Sequence, residues 1–191
     1  MRKYSKAKMF NRKASAKRSR ADEILKTLNI QPGQTIADIG SGGGFFTFLF
    51  SHLAGDKGTV YAIDTNEDFL EYINSQAAEN GLTNIKTVLA TEDANPIPHH
   101  SVDLVFVRNV YHHLLNRVHY FAQLKQLLSP SARVSIIEYS RHGSFLSFHR
   151  RCGHNVPKEI IVEEMNNAGY TVSASFEFLP VQSFTIFTLV M

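Results

Sequence analysis

The chain has 191 residues, which is enough for one domain with a single buried core. Its apolar fraction of 43% and charged fraction of 19% are typical of a globular protein, and no apolar run reaches the roughly 18 residues that a membrane helix needs. A single cysteine, Cys152, excludes an internal disulfide and argues against a cysteine-based metal site, so we expect a cytoplasmic protein without a metal centre.

The chain begins with a basic segment. Residues 1–20 carry nine lysines and arginines and no acid, whereas the rest of the chain has eleven basic and seventeen acidic residues. No apolar stretch follows this charge, so we expect no secretory signal. We interpret residues 1–22 as an N-terminal arm and residues 23–191 as one domain. The arm could contact nucleic acid through residues 2–20, contact anionic lipid, stay solvated and partly disordered, or fold over a ligand cleft as a lid.

The first half of the domain alternates between helical and strand patterns. In chain order the predicted elements are a helix at 21–28, a strand at 35–39, a helix at 45–53, a strand at 59–63, a helix at 65–80 and a strand at 85–90. Thr65 and Asp68 have the spacing of a capping box at the start of the third helix, and Gly81 is expected to end it.

The second half continues the alternation and then departs from it. The predicted elements are a strand at 102–107, a helix at 117–128, a strand at 133–139, a helix that Pro157 begins and Gly169 ends, and strands at 171–178 and 182–190. Strands that alternate with helices indicate a parallel, doubly wound α/β sheet. The short Leu179-Pro180 connection between the last two strands is too short for a parallel crossover, so we expect an antiparallel hairpin there.

A glycine-rich turn, residues 40–44, separates the first strand from the next helix. Glycines let the backbone turn tightly and approach a ligand, and the start of the following helix is expected to offer free N–H groups to an anionic or carboxylate group. Phe45 stands at the third glycine position of the dinucleotide fingerprint, which makes a nicotinamide oxidoreductase the weaker alternative.

Polar residues stand where the predicted strands end: Asp38, Asp64, Asp93 and Asn109. Open α/β sheets bind ligands at this carboxyl edge, near the point where the strand order reverses. Asp64 lies twenty residues after Gly44 and is placed to accept hydrogen bonds from both hydroxyls of a ribose. The strand ends therefore predict a site for a nucleoside-containing ligand.

These motifs resemble those of the class I S-adenosylmethionine (SAM)-dependent methyltransferases, from about Ile24 to the C-terminus. Residues 37–44 resemble the first motif of the family, and residues 60–64 resemble the second, whose acid holds the ribose. Glu92-Asp93-Ala94 resembles the acidic-Ala pair that binds the adenine amine. The resemblance implies a Rossmann-like sheet of seven strands, mostly parallel with an antiparallel C-terminal hairpin strand. It also implies SAM as the cofactor and S-adenosylhomocysteine (SAH) as the product.

The fourth motif favours a small-molecule methyltransferase. Residues 102–114 resemble this motif as it is written in quinone-biosynthesis and related enzymes, and residues 153–170 resemble the helix before their final hairpin. The sequence has Pro130-Ser131-Ala132 where the family usually has Pro-Gly-Gly, which should affect only a turn. Asn109 is followed by Val110-Tyr111 rather than Pro-Pro-Tyr, so the signature of nucleic-acid and glutamine methylases is absent.

The predicted site has a cofactor part and a catalytic part. The predicted cofactor-binding residues are Asp38, Gly40, Ser41, Gly42, Gly44, Asp64, Thr65, Asp93, Ala94, Asn109 and Val110. The catalytic candidates are His112, His113 and His142, any of which could serve as a base, although a structural histidine pair and an exposed loop histidine are the alternatives. Residues 140–156 are expected to cap the cleft, because they combine arginines and histidines with the apolar Phe145, Leu146 and Phe148.

We therefore predict a SAM-dependent methyltransferase with a small-molecule acceptor. An RNA or protein methyltransferase that uses the basic arm is one alternative, and a SAM-binding protein without catalysis is another. No motif specifies the acceptor or the oligomeric state.

Overall fold

A computed structural model describes residues 4–91, 97, 101–139 and 155–190. The helices are α1 (Ser5–Ala14), α2 (Ala21–Leu28), α3 (Phe45–Ala54), α4 (Glu67–Glu79), α5 (Arg117–Leu124) and α6 (Lys158–Asn167), with 3-10 turns at Lys17–Ser19, Tyr111–His113 and Lys125–Leu127. The strands are β1 (Thr35–Ile39), β2 (Thr59–Asp64), β3 (Ile85–Leu89), β4 (Val102–Arg108), β5 (Leu128–Tyr139), β6 (Tyr170–Phe176) and β7 (Gln182–Leu189). Within these residues, no helix is long and apolar enough to cross a bilayer.

The described strands form one seven-stranded sheet in the order β3-β2-β1-β4-β5-β7-β6. The first five strands pair in parallel, whereas β7 lies between β5 and β6 and is antiparallel to both. The predicted doubly wound sheet with an inserted antiparallel hairpin strand is therefore confirmed. Because the strand order reverses between β1 and β4, their carboxyl ends flank the crevice in which such sheets bind ligands.

Both faces of the sheet are covered. Phe50, Phe106 and Phe184 are fully buried in the cluster under α2 and α3. Tyr111 and Phe121 belong to the second cluster, which packs α5 and α6 against the opposite face. The central strands read as near-continuous apolar runs because both of their faces are buried. This double burial makes the carboxyl edge a rigid base for the site.

The start of α4 differs from the sequence prediction. The Phe69 N–H donates to Asn66 Oδ1 at 3.3 Å, so Asn66 is the N-cap and the predicted capping box of Thr65 and Asp68 is wrong. The Asn66 N–H donates in turn to Asp64 Oδ1 at 2.9 Å. This local bond, between residues two apart, holds Asn66 at the end of β2 in the position from which it caps the helix.

The junction between α5 and β5 also differs from the prediction. The α-helix ends at Leu124, and β5 begins at Leu128 instead of Arg133. The pairing of β5 with β4 changes register between Val102 and Leu104, so residues of β5 around Pro130 form an irregular, bulged section. The apolar residues that extended the helical pattern therefore belong to a 3-10 turn and the strand that follows.

Candidate cofactor and acceptor site

The glycine turn follows β1 at the switch point of the sheet. Gly40, Gly42 and Gly44 have φ of +73°, +55° and +81°, which lie in the region that favours glycine. A Cβ atom on Gly40 would lie 2.7 Å from the Val110 side chain, and one on Gly44 would lie 2.7 Å from Ile73 Cγ1. The turn is therefore packed tightly against the end of β4 and against α4, and a side chain at either position would displace it.

Asp64 ties the glycine turn to the end of β2. Its Oδ2 accepts the Gly42 N–H at 2.8 Å, and the Gly40 and Ser41 N–H groups donate to the Ile63 carbonyl at 2.8 and 3.1 Å. Burial raises the pKa of Asp64, while hydrogen bonds from backbone N–H groups oppose the shift. Each oxygen of a carboxylate can accept more than one hydrogen bond, so the Asp64 side chain can still accept hydrogen bonds from a ligand beside the turn.

Ser41 has a buried hydroxyl whose Oγ finds no hydrogen-bond partner among the described residues. A buried polar atom without a partner costs free energy, and such atoms often mark a place for a ligand or water. The chain thus presents a left-handed backbone turn with an unsatisfied hydroxyl, and beside it an acceptor carboxylate at the end of β2. These groups fit a ligand with hydroxyl and amine functions such as SAM. Thr65 lies exposed beside this loop, and Asp93 and Ala94 lie outside the described residues.

Asp38 lies beneath the turn, between β1 and α3. The side chain is buried, and Thr47 Oγ1 donates to its Oδ2 at 2.6 Å. Burial raises the pKa of Asp38 from its ordinary value of 3.8 to about 7, with the Thr47 hydrogen bond opposing the shift and the charge of Asp64 adding to it. The described contacts of Asp38 therefore support the turn from below.

The raised pKa makes the stability of the protein depend on pH. The folded state binds the Asp38 proton more tightly than the unfolded chain, so the free energy of unfolding falls as pH rises towards 7. We expect this loss to be about 2–3 kcal/mol between pH 5 and pH 8, and Asp38→Asn should remove it. Urea unfolding of both proteins at the two pH values measures the difference, with the exposed Asp56→Asn as the control. Equal pH dependence in Asp38→Asn and the parent chain would contradict the prediction.

The start of α3 is already capped by another part of the chain. The Phe45 N–H donates to Asn11 Oδ1 at 3.1 Å, and Asn11 Nδ2 donates to the Gly43 carbonyl at 2.7 Å. The prediction of free N–H groups is therefore wrong for Phe45. Asn11 was not predicted as a site residue, because it stands among the basic residues of the arm. Ala7, Asn11 and Ala14 nevertheless have the spacing of one helix face, which indicates a packed helix.

The chain beyond β4 carries the fourth motif. Asn109 has φ of +56°, its N–H donates to the Ile137 carbonyl at 2.8 Å, and its Oδ1 accepts a hydrogen bond from Gln182 Nε2. Val110 packs on Gly40. Gln182 was not predicted as a site residue, because it lies 73 residues from Asn109 along the chain and meets it only through the pairing of β5 with β7.

His112 pairs with a buried carboxylate that the sequence analysis missed. Glu138 is fully buried at the end of β5, and its Oε2 lies 2.9 Å from His112 Nδ1. The other oxygen of Glu138, Oε1, accepts the Tyr139 N–H at 2.7 Å. A carboxylate at Nδ1 favours the tautomer with the proton on that nitrogen, which makes Nε2 the basic one. The available signal was an acid that directly follows the apolar pair Ile136-Ile137 near the end of a predicted strand.

The other two catalytic candidates are placed differently. His113 is exposed, and its ring centroid lies 4.1 Å from that of His112. His142 lies outside the described residues, as do residues 140–154 of the predicted cap and His99-His100. Among the described residues, no group of three or more His, Cys, Asp or Glu side chains could hold a metal ion.

The turn that carries His112 is anchored to the helices behind it. The Tyr111 hydroxyl donates to Glu164 Oε2 at 2.7 Å, and Arg117 donates to both oxygens of Glu164, each at 2.7 Å. Burial and the Glu164 carboxylate raise the pKa of Tyr111, so this hydroxyl stays a donor. The bidentate pair joins α5 to α6, so the position of His112 is set by packed elements.

Together the mixed seven-stranded sheet, its switch point and the glycine turn after β1 define a class I, Rossmann-like methyltransferase fold. Residues 30–176 match the family model described as a methyltransferase domain, which is most of the chain. The chain therefore belongs to the methyltransferase domain family.

Known relatives agree with this assignment. The ubiquinone/menaquinone biosynthesis C-methyltransferase UbiE of Shewanella oneidensis is 27% identical over 118 residues, which cover 61% of this chain and 47% of that protein. The chain thus spans about half the length of the curated relatives that it matches. A SAM-dependent methyltransferase from Aquifex aeolicus has 25% identity and a TM-score of 0.80, over 88% of this chain and 89% of that one.

A more distant structure shares the fold. The O-methyltransferase NcsB1 of neocarzinostatin biosynthesis, solved with SAH and 1,4-dihydroxy-2-naphthoic acid, has 14% identity and a TM-score of 0.66 over 82% of this chain and 49% of that one. The family, the fold and SAM as the cofactor are therefore confirmed as predicted, whereas the roles of individual site residues stay predictions.

Proposed function

We propose that the chain transfers a methyl group from SAM to a small-molecule acceptor. The observation that carries this proposal is the Asp64 carboxylate bonded to the Gly42 N–H at the switch point, next to the buried Ser41 hydroxyl. In this arrangement Asp64 receives the ribose hydroxyls and Ser41 donates to the cofactor. The other proposed cofactor-binding residues are Asp38, Gly40, Gly42, Gly44, Thr65, Asp93, Ala94, Asn109 and Val110.

The residues of the chain align the two reactants and move one proton. Bound SAM would supply the methyl group from its positively charged sulfonium. The leaving group is then the neutral thioether of SAH, which needs no protonation. The glycine turn and Asn109 hold the geometry of attack. His112 accepts the proton of the acceptor at Nε2, and Glu138 stabilises the imidazolium that results. In their ionised forms, the carboxylates of Asp38 and Asp64 favour a cationic ligand over a neutral one.

We propose a hydroxylated aromatic ring as the acceptor. A general base such as His112 is needed only when the acceptor loses a proton as it is methylated, and a ring hydroxyl carries such a proton. The UbiE relatives are named for C-methylation in quinone biosynthesis, and NcsB1 was solved with a dihydroxynaphthoate. These names support the proposal by analogy with proteins that share family or fold.

A second candidate, an RNA methyltransferase, is favoured by one observation. The exposed side chains of α1 and the 3-10 turn after it include Lys6, Lys8, Arg12, Lys13, Lys17 and Arg18. Such a surface fits a phosphate backbone. Deleting residues 1–20 would not test this function alone, because Asn11 also contacts the glycine turn. Changing Lys6, Lys8, Arg12 and Lys13 to glutamine removes the charge and leaves that contact in place.

One assay separates these functions. We expect SAM with a labelled methyl group to transfer label to one or more members of a panel of dihydroxynaphthoates, catechols and quinols, detected by mass spectrometry of the product. Transfer to tRNA, lost in the four-glutamine variant and in high salt, would establish the second candidate instead. Binding of SAH without transfer to any acceptor would indicate a SAM-binding protein without catalysis.

A further inference from the structure

The helix α1 lies directly against the glycine turn. A Cβ atom on Gly43 would lie 2.2 Å from the Ala7 carbonyl oxygen and 2.3 Å from Asn11 Oδ1. The absence of a side chain at Gly43 is therefore what lets the helix approach. Phe10 continues the contact, because its Cβ lies 3.9 Å from where a Cβ atom on Gly42 would stand.

Aromatic contacts fix α1 to α4 as well. Phe10 packs edge-on against Phe69 with ring centroids 5.6 Å apart, and the rings of Tyr4 and Tyr72 lie 5.3 Å apart. Ala7 is buried in this interface. A helix with a packed inner face and a basic outer face differs from a solvated tail, so the inner residues have a structural partner at the site.

Asn11 is the residue that joins α1 to the turn by hydrogen bonds. It accepts from the Phe45 N–H, which begins α3, and donates to the Gly43 carbonyl two residues earlier. The two bonds span the point where the turn becomes a helix. Because Gly42, Gly43 and Gly44 have no side chains to restrict them, the loop would otherwise sample many conformations at a cost in entropy when a ligand binds.

We propose that α1 is a positioning element of the SAM site, in which Asn11 holds the glycine turn in its cofactor-binding conformation. This inference rests on the proposed function, because it assigns the turn to SAM. Asn11 acts through Gly43 and Phe45, so it is a positioning residue. The N-terminal segment is then part of the cofactor site, in addition to any partner that its basic face contacts.

The test is Asn11→Ala in the full chain, with SAH affinity measured by calorimetry. Loss of two hydrogen bonds that order the turn should raise the Kd for SAH about tenfold or more. Asn11→Asp keeps an acceptor for the Phe45 N–H but sets a carboxylate oxygen against the Gly43 carbonyl, so it should bind SAH no more tightly than Asn11→Ala. The KM for SAM should rise with the Kd, whereas kcat at saturating SAM should change little.

The matched control is Asn74→Ala, which removes a helix asparagine whose Nδ2 donates at 2.8 Å to Thr87 Oγ1 in β3 and not to the turn. Hydrogen exchange of the Phe45 amide adds a second measurement, and it should become faster in Asn11→Ala. If Asn11→Ala lowered the melting temperature but left the Kd for SAH within twofold, the positioning role would be overturned. Failure of the parent chain to bind SAH would instead overturn the proposed function.

Discussion

Asp64→Ala should raise the Kd for SAH at least ~100-fold. The substitution removes a carboxylate that we place against both ribose hydroxyls, and hydrogen bonds to a charged group contribute about 1.5–3 kcal/mol each. It also removes the acceptor of the Gly42 N–H, so the turn loses its tie to β2. Calorimetry with SAH measures the effect without knowledge of the acceptor.

Two further variants make the Asp64 result specific. Asp64→Asn keeps one acceptor oxygen and the shape of the side chain, so its loss of affinity should be intermediate. Asp68→Ala removes the same charge from an exposed position in the first turn of α4 and should leave the Kd within twofold. If Asp64→Ala bound SAH as tightly as the parent chain, the ribose would have to lie elsewhere, and the assignment of the second motif would fail.

His112→Ala should lower kcat by about 10²–10⁴-fold, the usual contribution of a positioned general base. The Kd for SAH should stay within twofold, because the ring pairs with Glu138 at the end of β5 and is not among the proposed cofactor-binding residues. Glu138→Gln keeps the size of the side chain and removes the charge that favours the imidazolium, so kcat should fall about tenfold. The assay uses the acceptor that the labelled-methyl screen identifies.

The matched control for this prediction is His113→Ala. His113 is exposed and adjacent, so its loss tests whether any histidine in the turn would serve. We expect it to change kcat by less than threefold. A His112→Ala protein with unchanged kcat would mean that the acceptor proton leaves by another route and that the His112–Glu138 pair is structural.

Local patterns were sufficient for most of the fold. The five parallel strands lie close to where the sequence predicted them. For the central strands β1, β2 and β4 the reason is burial on both faces, which leaves little choice of residue. The short Leu179-Pro180 connection was enough to predict the antiparallel hairpin, because the geometry of chain reversal leaves no alternative. The errors lie at element ends, where Asn66 instead of Thr65 caps α4 and where a 3-10 turn at Lys125–Leu127 and an earlier start of β5 replace the last turn predicted for α5.

The residues of the candidate site also fall into those that could be predicted from the sequence and those whose contacts could not. Asp38, the glycine turn and Asp64 could be identified in the sequence, because each stands at a fixed distance from a strand end and strand ends converge at one edge of a parallel sheet. The partners of Asn11, Gln182 and Glu138 could not be identified there, because each residue meets its partner through contacts between segments that are far apart in the chain.

By itself, therefore, the sequence determined the class of fold, the cofactor turn and the acid beside it, since these depend on local spacing and burial. Only the tertiary structure decided that the basic arm includes a helix packed on the turn, and that one histidine of the pair faces a buried carboxylate. Hydrogen bonds between distant segments depend on how helices and strands pack, and no spacing along the chain encodes that packing.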